Sequence, residues 1–177
     1  EVVKTFWEYY RAGKVMGLFI SSGVIGTPDQ TMERLNAIAA MLRKQQFKGY
    51  LHLKIIPGAS DAAIEEAVSL SNAVSINIET AGEQHFHALS DKKNYLDDII
   101  RPMKLIHSLT QPGSPYRKVR QTTQFVVGAS DETDQEIVNY SWGLYKRLGL
   151  QRIYFSAYQR GLGERELPGE HDARSNQ

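Results

Sequence analysis

The 177-residue chain is long enough to form one domain with a sizeable hydrophobic core. Its 41% hydrophobic and 23% charged residues are typical of a globular protein, and its net charge of +1 gives no electrostatic argument for binding nucleic acid or a membrane. The chain has no cysteine, which excludes disulfides and a thiolate metal site within it. No apolar run has the length of a transmembrane helix and no signal peptide is recognisable, so we expect a cytoplasmic location.

Stretches typical of strands alternate with stretches typical of helices along the chain. The predicted helices are 1–12, 27 to about 42, 60–71, 82–109 and 133–148, and the predicted strands are 16–22, 49–57, 74–79, 121–127 and 151–158. We expect the helix 82–109 to break near 90–93 and to be disturbed at Pro102, which lacks a backbone N–H. The segment 111–118 is predicted to be a loop, and the polar stretch from Gly161 is predicted to be disordered. This alternation predicts an α/β protein with a parallel sheet.

Two helix starts carry strong local signals. Thr27 with Gln30, and Thr133 with Glu136, have the spacing of a capping box. Gly128 lies between the strand 121–127 and the second of these helices, where the chain must turn sharply. A strand that ends in a glycine turn at a helix N-terminus is suited to binding an anion or to a backbone contact with a cofactor. An ordinary strand–helix junction is the alternative.

Three of the predicted strands have an apolar face and a largely polar face. The apolar faces contain Leu51, Leu53, Ile55, Val74, Ile76, Ile78, Ile153, Phe155 and Ala157. The opposite faces contain His52, Lys54, Ile56, Ser75, Asn77, Glu79, Tyr154, Ser156 and Tyr158. A doubly wound sheet would have apolar strands on both faces, and a packed barrel would fill its interior with Val, Ile and Leu. The pattern therefore favours a barrel, complete or incomplete, whose inner wall faces a polar ligand.

Val126-Val127-Gly128 with Glu132-Thr133, together with Ser75-Ile76-Asn77-Ile78-Glu79, resembles the core of radical SAM enzymes. More closely, the segments 18–27, 52–58 and 122–134 resemble the radical SAM proteins assigned to DNA modification or repair, whose genes often neighbour a uracil-DNA-glycosylase-like protein. The resemblance covers residues 16–168. It implies a partial (βα)6, TIM-like barrel truncated before or at its first strand, with 1–160 as the barrel core and 161–177 as a flexible tail.

The resemblance also implies two cofactors, a [4Fe–4S] cluster and S-adenosylmethionine, and an electron donor such as flavodoxin or ferredoxin. Reduction through the cluster would cleave the sulfonium and release a 5′-deoxyadenosyl radical, which abstracts a hydrogen atom from the substrate. In this family the three cluster cysteines follow the first barrel strand, ahead of the first helix. This chain has no cysteine, so the resemblance implies that it begins after that loop and is inactive alone. DNA enters as a substrate by resemblance only.

The family's contacts with the adenosyl group are carried over to three strand ends. Asn77 and Glu79 would meet the ribose hydroxyls, because a carboxylate can accept two hydroxyl hydrogen bonds. Val127 and Gly128 would support the adenosine through their backbone. The strand from Tyr154 to Ser156 would offer backbone groups to the adenine edge.

Two further positions correspond to contacts with the methionyl part. Ser21-Ser22-Gly23 stands where the wider superfamily has Gly-Gly-Glu, so backbone carbonyls remain to accept from the amino group but the acid is missing. Lys54 on the polar face would bind the carboxylate or an anionic substrate, and a salt-bridged or solvent-directed lysine is the alternative.

Other functions remain open at this point. Lys54 is a candidate Schiff-base amine of a lyase, and the chain is also a candidate non-catalytic barrel that binds a nucleoside-like ligand. Gln124 faces the same way as Gly128 and is a candidate substrate contact. His52 is expected to be simply hydrogen-bonded. His85 and His87 lie two apart on a predicted helix and would not share a face, so we predict no metal site there.

Overall fold

The computed structural model describes residues 1–159, which form an α/β fold. The elements in chain order are α1 (Val2–Arg11), β1 (Gly17–Ile20), α2 (Pro28–Lys44), β2 (Tyr50–Lys54), α3 (Asp61–Leu70), β3 (Ala73–Ser75), α4 (Glu83–Leu89), a π-helix (Tyr95–Ile100), α5 (Arg101–Leu109), β4 (Arg120–Val127), α6 (Asp134–Leu148) and β5 (Arg152–Ala157). The strands form a parallel sheet in the order β1-β2-β3-β4-β5, so each strand lies beside the next in sequence. This singly wound order is that of a βα barrel wall, whereas doubly wound sheets reverse direction.

The predicted α/β class and the strand order expected of a partial barrel are therefore confirmed. The tail from Gly161 lies outside the described residues, and the boundary at residue 160 stays a prediction. Within residues 1–159, no helix combines the length and the apolar composition needed to cross a membrane.

The described chain forms two compact units. The first comprises Glu1–Ser75 and Leu105–Gln121, and the second comprises Ile76–Lys104 and 122–159. In the first unit, Leu51 and Leu53 of β2 are fully buried, as the predicted apolar face requires. Helices α2 and α3 add buried apolar residues, which are Met32, Leu35, Ala39, Leu42, Ile64, Ala67 and Val68. Burial of this apolar surface is the main stabilising contribution to the unit.

Arg43, near the end of α2, holds the segments that follow α2 and α3 by hydrogen bonds. Its guanidinium donates hydrogen bonds to the carbonyls of Leu70, Phe47 and Gly49 at 2.9, 2.7 and 3.0 Å. It also donates to Asn72 Oδ1 at 2.8 Å. One side chain therefore holds the end of α2, the approach to β2 and the approach to β3.

The chain leaves β3 earlier than the sequence predicted. The prediction of a strand to Glu79 was wrong in its length, because β3 ends at Ser75. The reason is the side chain of Thr123, which takes the place of a backbone partner. Its hydroxyl accepts from the Ile78 N–H at 3.0 Å and donates to the Ile76 carbonyl at 2.7 Å. The side chain that ends the strand thus lies more than 40 residues later in the sequence, so the local pattern around β3 does not reveal it.

The predicted helix 82–109 is divided into three pieces. The break near 90–93 is confirmed, since α4 ends at Leu89 and the π-helix begins at Tyr95. The π-helix ends at Ile100 and Pro102 is the second residue of α5, so the helix changes its hydrogen-bonding pattern near the proline, as expected.

On β5 the predicted apolar face is only partly covered, because Ile153 is 7% exposed but Phe155 is 55% exposed.

Candidate cofactor-binding site

The most unusual backbone in the second unit lies at Glu79. This residue has φ +66°, a left-handed conformation that non-glycine residues seldom adopt. Its N–H donates to the Gln124 carbonyl at 3.0 Å, and its carbonyl accepts from the Val126 N–H at 2.8 Å. The conformation is therefore fixed by β4, and both Asn77 and Glu79 are half-buried beyond the end of β3. Strained residues of this kind cluster at functional sites.

The turn after β4 is the second part of the candidate site. Gly128 has φ +84°, which confirms the sharp turn that the sequence predicted at this glycine. The Val127 carbonyl accepts from the Tyr158 N–H at 2.9 Å. One acceptor position of that carbonyl is thus used within the sheet.

Gln124 and Ser156 are brought together on neighbouring strands. Gln124 Nε2 donates to Ser156 Oγ at 2.7 Å, and Ser156 Oγ lies 3.4 Å from the Phe125 carbonyl. Tyr154 is 46% exposed, and its hydroxyl accepts from Arg152 at 3.3 Å. The structure therefore joins the candidate Ser156 with Gln124, while the Tyr154 side chain interacts along its own strand.

In the first unit, the loop after β1 holds Ser21, Ser22 and Gly23. Ser22 Oγ donates to the Gly23 carbonyl at 2.7 Å. No atom lies within 4 Å of the place where a Cβ on Gly23 would stand, so neither space nor conformation requires glycine there. Gly26 differs, because it has φ +77° and an added Cβ would collide with Gln30 Oε1. The glycine that the loop needs is Gly26, which sequence reasoning missed.

His52 and Lys54 lie on the half-buried face of β2, also in the first unit. His52 contacts the ring of Phe19 edge-on, with centroids 4.7 Å apart. Its buried Nε2 has no hydrogen-bond partner, so the expectation of a simply hydrogen-bonded histidine was wrong for that atom. Burial, followed by the charge of Lys54, lowers the pKa of His52 to about 4. The ring is therefore neutral at physiological pH.

The helix α4 contributes a residue that the sequence did not single out as functional. The side chain of His85 is 11% exposed, whereas that of His87 is 57% exposed, so the two histidines lie on different faces as expected. His85 Nδ1 lies 2.9 Å from Asp131 Oδ1, and His85 Nε2 lies 3.5 Å from Glu136 Oε1. Burial lowers the pKa of His85, but the hydrogen bonds to Asp131 and Glu136 outweigh it, and the net shift is upward.

Glu132 in the same loop is 4% exposed. Burial raises the pKa of its carboxyl, while nearby Thr80 and His85 lower it by less. Glu132-Thr133 is part of the resemblance in the sequence, but no sequence pattern indicates that this acid is buried. Among residues 1–159, no three His, Asp or Glu side chains are arranged to hold a metal ion.

A cavity of about 480 Å³ lies on the helical side of the second unit. Its lining includes Lys104, Glu136, Tyr140 and Arg147. None of the predicted cofactor contacts lines it, so the cavity and the polar strand ends are different features of this unit.

Together, these features define the class of protein. The chain is a singly wound parallel α/β protein with polar and strained residues beyond the carboxyl ends of its strands. Proteins of this class bind their ligands at that end of the sheet. No protein-family model matches the sequence, and no curated protein matches it. Among solved structures, the chain is similar to the crystal structure of a domain of pyruvate-formate lyase-activating enzyme from Bacteroides vulgatus ATCC 8482. The TM-score is 0.54, the identity is 12%, and the match covers 84% of this chain and 83% of that chain. At this identity the similarity shows the fold alone.

Proposed function

We propose that this chain binds the adenosyl part of S-adenosylmethionine within a radical SAM enzyme. Two findings support the class: the motifs at successive strand ends resemble those of radical SAM proteins, and the fold is similar to that of a pyruvate-formate lyase-activating enzyme domain. The observation that carries the proposal is Glu79, a strained acid held in a left-handed conformation beside Asn77.

The residues of the second unit suit an adenosyl group. A carboxylate at Glu79 accepts from both ribose hydroxyls, and the amide of Asn77 can donate or accept beside it. Backbone groups at Val127 and Gly128 would bind the adenosine, and backbone groups from Tyr154 to Ser156 would form hydrogen bonds with the edge of the adenine. S-adenosylmethionine, when bound, supplies the adenosyl group from which this class of enzyme generates its radical.

In the first unit, Ser21, Ser22, Gly23 and Lys54 stay candidate contacts that rest on the resemblance alone.

The [4Fe–4S] cluster does not fit this chain. Such clusters are held by cysteine thiolates, and the 177 residues contain none. We therefore derive no step through a cluster, and the role proposed for this chain is to bind and orient the nucleoside.

The test is calorimetric titration of the chain with adenosine and with S-adenosylmethionine. Glu79→Gln retains the shape and the backbone strain but removes the charge, so binding should weaken about 10- to 100-fold, the usual value of a hydrogen bond to a charged group. Glu65→Gln, an exposed acid on α3, is the matched control and should bind like the wild type. Absence of adenosine binding by the wild type, or a Glu79→Gln chain with unchanged affinity, would contradict the proposal.

DNA is the substrate class that the resemblance implies, and we propose it on that ground, together with a cytoplasmic location and a flavodoxin or ferredoxin as electron donor. The net charge of +1 adds no support for DNA. Fluorescence anisotropy with labelled duplex DNA at low and high salt tests it, since binding through phosphates would weaken steeply with salt. No binding at low salt would remove DNA from the proposal.

A further inference from the structure

His85 connects three parts of the second unit. It lies on α4, and its two ring nitrogens reach Asp131 in the loop after β4 and Glu136 in the first turn of α6, at 2.9 and 3.5 Å. Because both nitrogens face carboxylates, the ring is held in one orientation, and the protonated imidazole can donate to both acids. His85 is mostly buried, while Asp131 is 82% exposed.

The loop between Gly128 and Thr133 has other attachments that act with His85. Ser130 Oγ lies 3.1 Å from Thr80 Oγ1, directly after Glu79 in sequence. Glu136 accepts from Thr133 N at 2.7 Å and from Thr133 Oγ1 at 2.8 Å. The acid that meets His85 therefore also closes the capping box of α6. The loop that begins with the Gly128 turn is thus held at its middle and at its end.

We propose that His85 is a positioning residue of the adenosyl site, which fixes the 128–133 loop, and with it the Gly128 turn, by holding Asp131 and Glu136 at once. This inference rests on the proposed function, because the proposed function supplies the ligand that the loop would position. His85 makes no contact with the ligand in this proposal and acts only through the loop.

The arrangement makes the loop sensitive to pH. The groups that face His85 are Asp131 and Glu132 from the loop and Glu136 from α6, and on α4 itself His87 pairs with Glu83 at 3.7 Å. Because the pKa of His85 is raised in the folded chain, its stabilising effect is complete below the unfolded histidine pKa of about 6.5. The effect is lost as the pH rises through the raised pKa.

The experiment compares the full chain with His85→Gln, with His87→Gln as the matched control on the exposed face of the same helix. Hydrogen exchange of the 128–133 amides, corrected for intrinsic rates, is measured roughly one unit below and two units above the ordinary histidine pKa of about 6.5. We expect the wild type and His87→Gln to lose protection at the higher pH, and His85→Gln to lack it at both. Equal protection in His85→Gln and wild type would overturn the inference.

Adenosine titration of the same chains decides whether the loop positions the ligand. His85→Gln should bind about 3- to 10-fold more weakly below the histidine pKa, and the difference should shrink above it. Asp131→Asn alters only the exposed partner and should reproduce both effects if His85→Gln folds poorly. A looser loop with unchanged affinity would overturn the positioning role. A wild type that binds no adenosine at either pH would instead refute the proposed function.

Discussion

Replacing Glu79 by glycine should separate stability from binding. Glu79 and Gln46 are the non-glycine residues with positive φ in the described chain, at +66° and +64°. Glycine adopts this conformation without steric cost, whereas an L side chain pays for the approach of its Cβ to the following carbonyl. Both backbone hydrogen bonds of Glu79 to β4 remain possible in the variant.

The expected change in the free energy of unfolding of Glu79→Gly is the sum of two opposing contributions. Relief of the left-handed conformation contributes about 1–2 kcal/mol, and the greater freedom of glycine in the unfolded chain costs about 0.5–1 kcal/mol. The net gain in the free energy of unfolding is therefore about 0–1.5 kcal/mol, or a rise in Tm of about 0–6 °C for a chain of this size. The carboxylate, however, is gone, so adenosine affinity should fall at least as far as in Glu79→Gln.

Gln46→Gly is the matched control for this experiment. Gln46 follows α2 in a Schellman arrangement, in which its N–H donates to the Arg43 carbonyl and the Phe47 N–H donates to the Leu42 carbonyl, both at 3.0 Å. Its substitution should give a similar gain in thermal unfolding, followed by circular dichroism, with unchanged adenosine affinity. A Glu79→Gly chain that unfolds at a clearly lower temperature than the wild type, or that binds adenosine equally well, would contradict this prediction.

Three other outcomes are expected. Arg43→Ala removes four hydrogen bonds and should lower the free energy of unfolding by about 2–4 kcal/mol in urea, whereas Arg34→Ala on the exposed face of the same helix should change it little. The pKa of His52 measured by NMR should be about 4, and it should rise in Lys54→Met. Because the folded pKa of His52 is lowered, the free energy of unfolding should fall as the pH drops from about 6.5 to about 4. His52→Gln should make the free energy of unfolding depend less on pH in that range. Thr133→Ala should cost about 1 kcal/mol through loss of the capping box, and an unchanged Tm would show that the box contributes nothing.

The features that the sequence predicted well are those set by neighbouring residues. Both capping boxes form as their spacing indicated, Thr27 with Gln30 and Thr133 with Glu136. Gly128 adopts the positive φ expected of a tight turn. In each case the interacting groups lie within one turn of the chain, so the pattern itself contains the physical cause.

The features that the sequence missed depend on partners distant in sequence. The early end of β3 results from the hydroxyl of Thr123, and the left-handed Glu79 results from its pairing with β4. The role of His85 depends on acids more than 40 residues later, at Asp131 and Glu136. No periodicity of α4 contains this information, because it only predicts which helical face is buried.

The same distinction explains why the second unit supports a functional proposal more strongly than the first. In the second unit, Glu79 keeps a costly conformation that β4 imposes, although glycine would fit there without strain. In the loop after β1, by contrast, Gly23 stands in open space and in an ordinary conformation, so its geometry alone gives no reason for a glycine. A costly conformation requires a compensating reason, and the ribose contact that we propose for the Glu79 carboxylate would provide one. The position at which the proposed function is most directly tested is therefore Glu79.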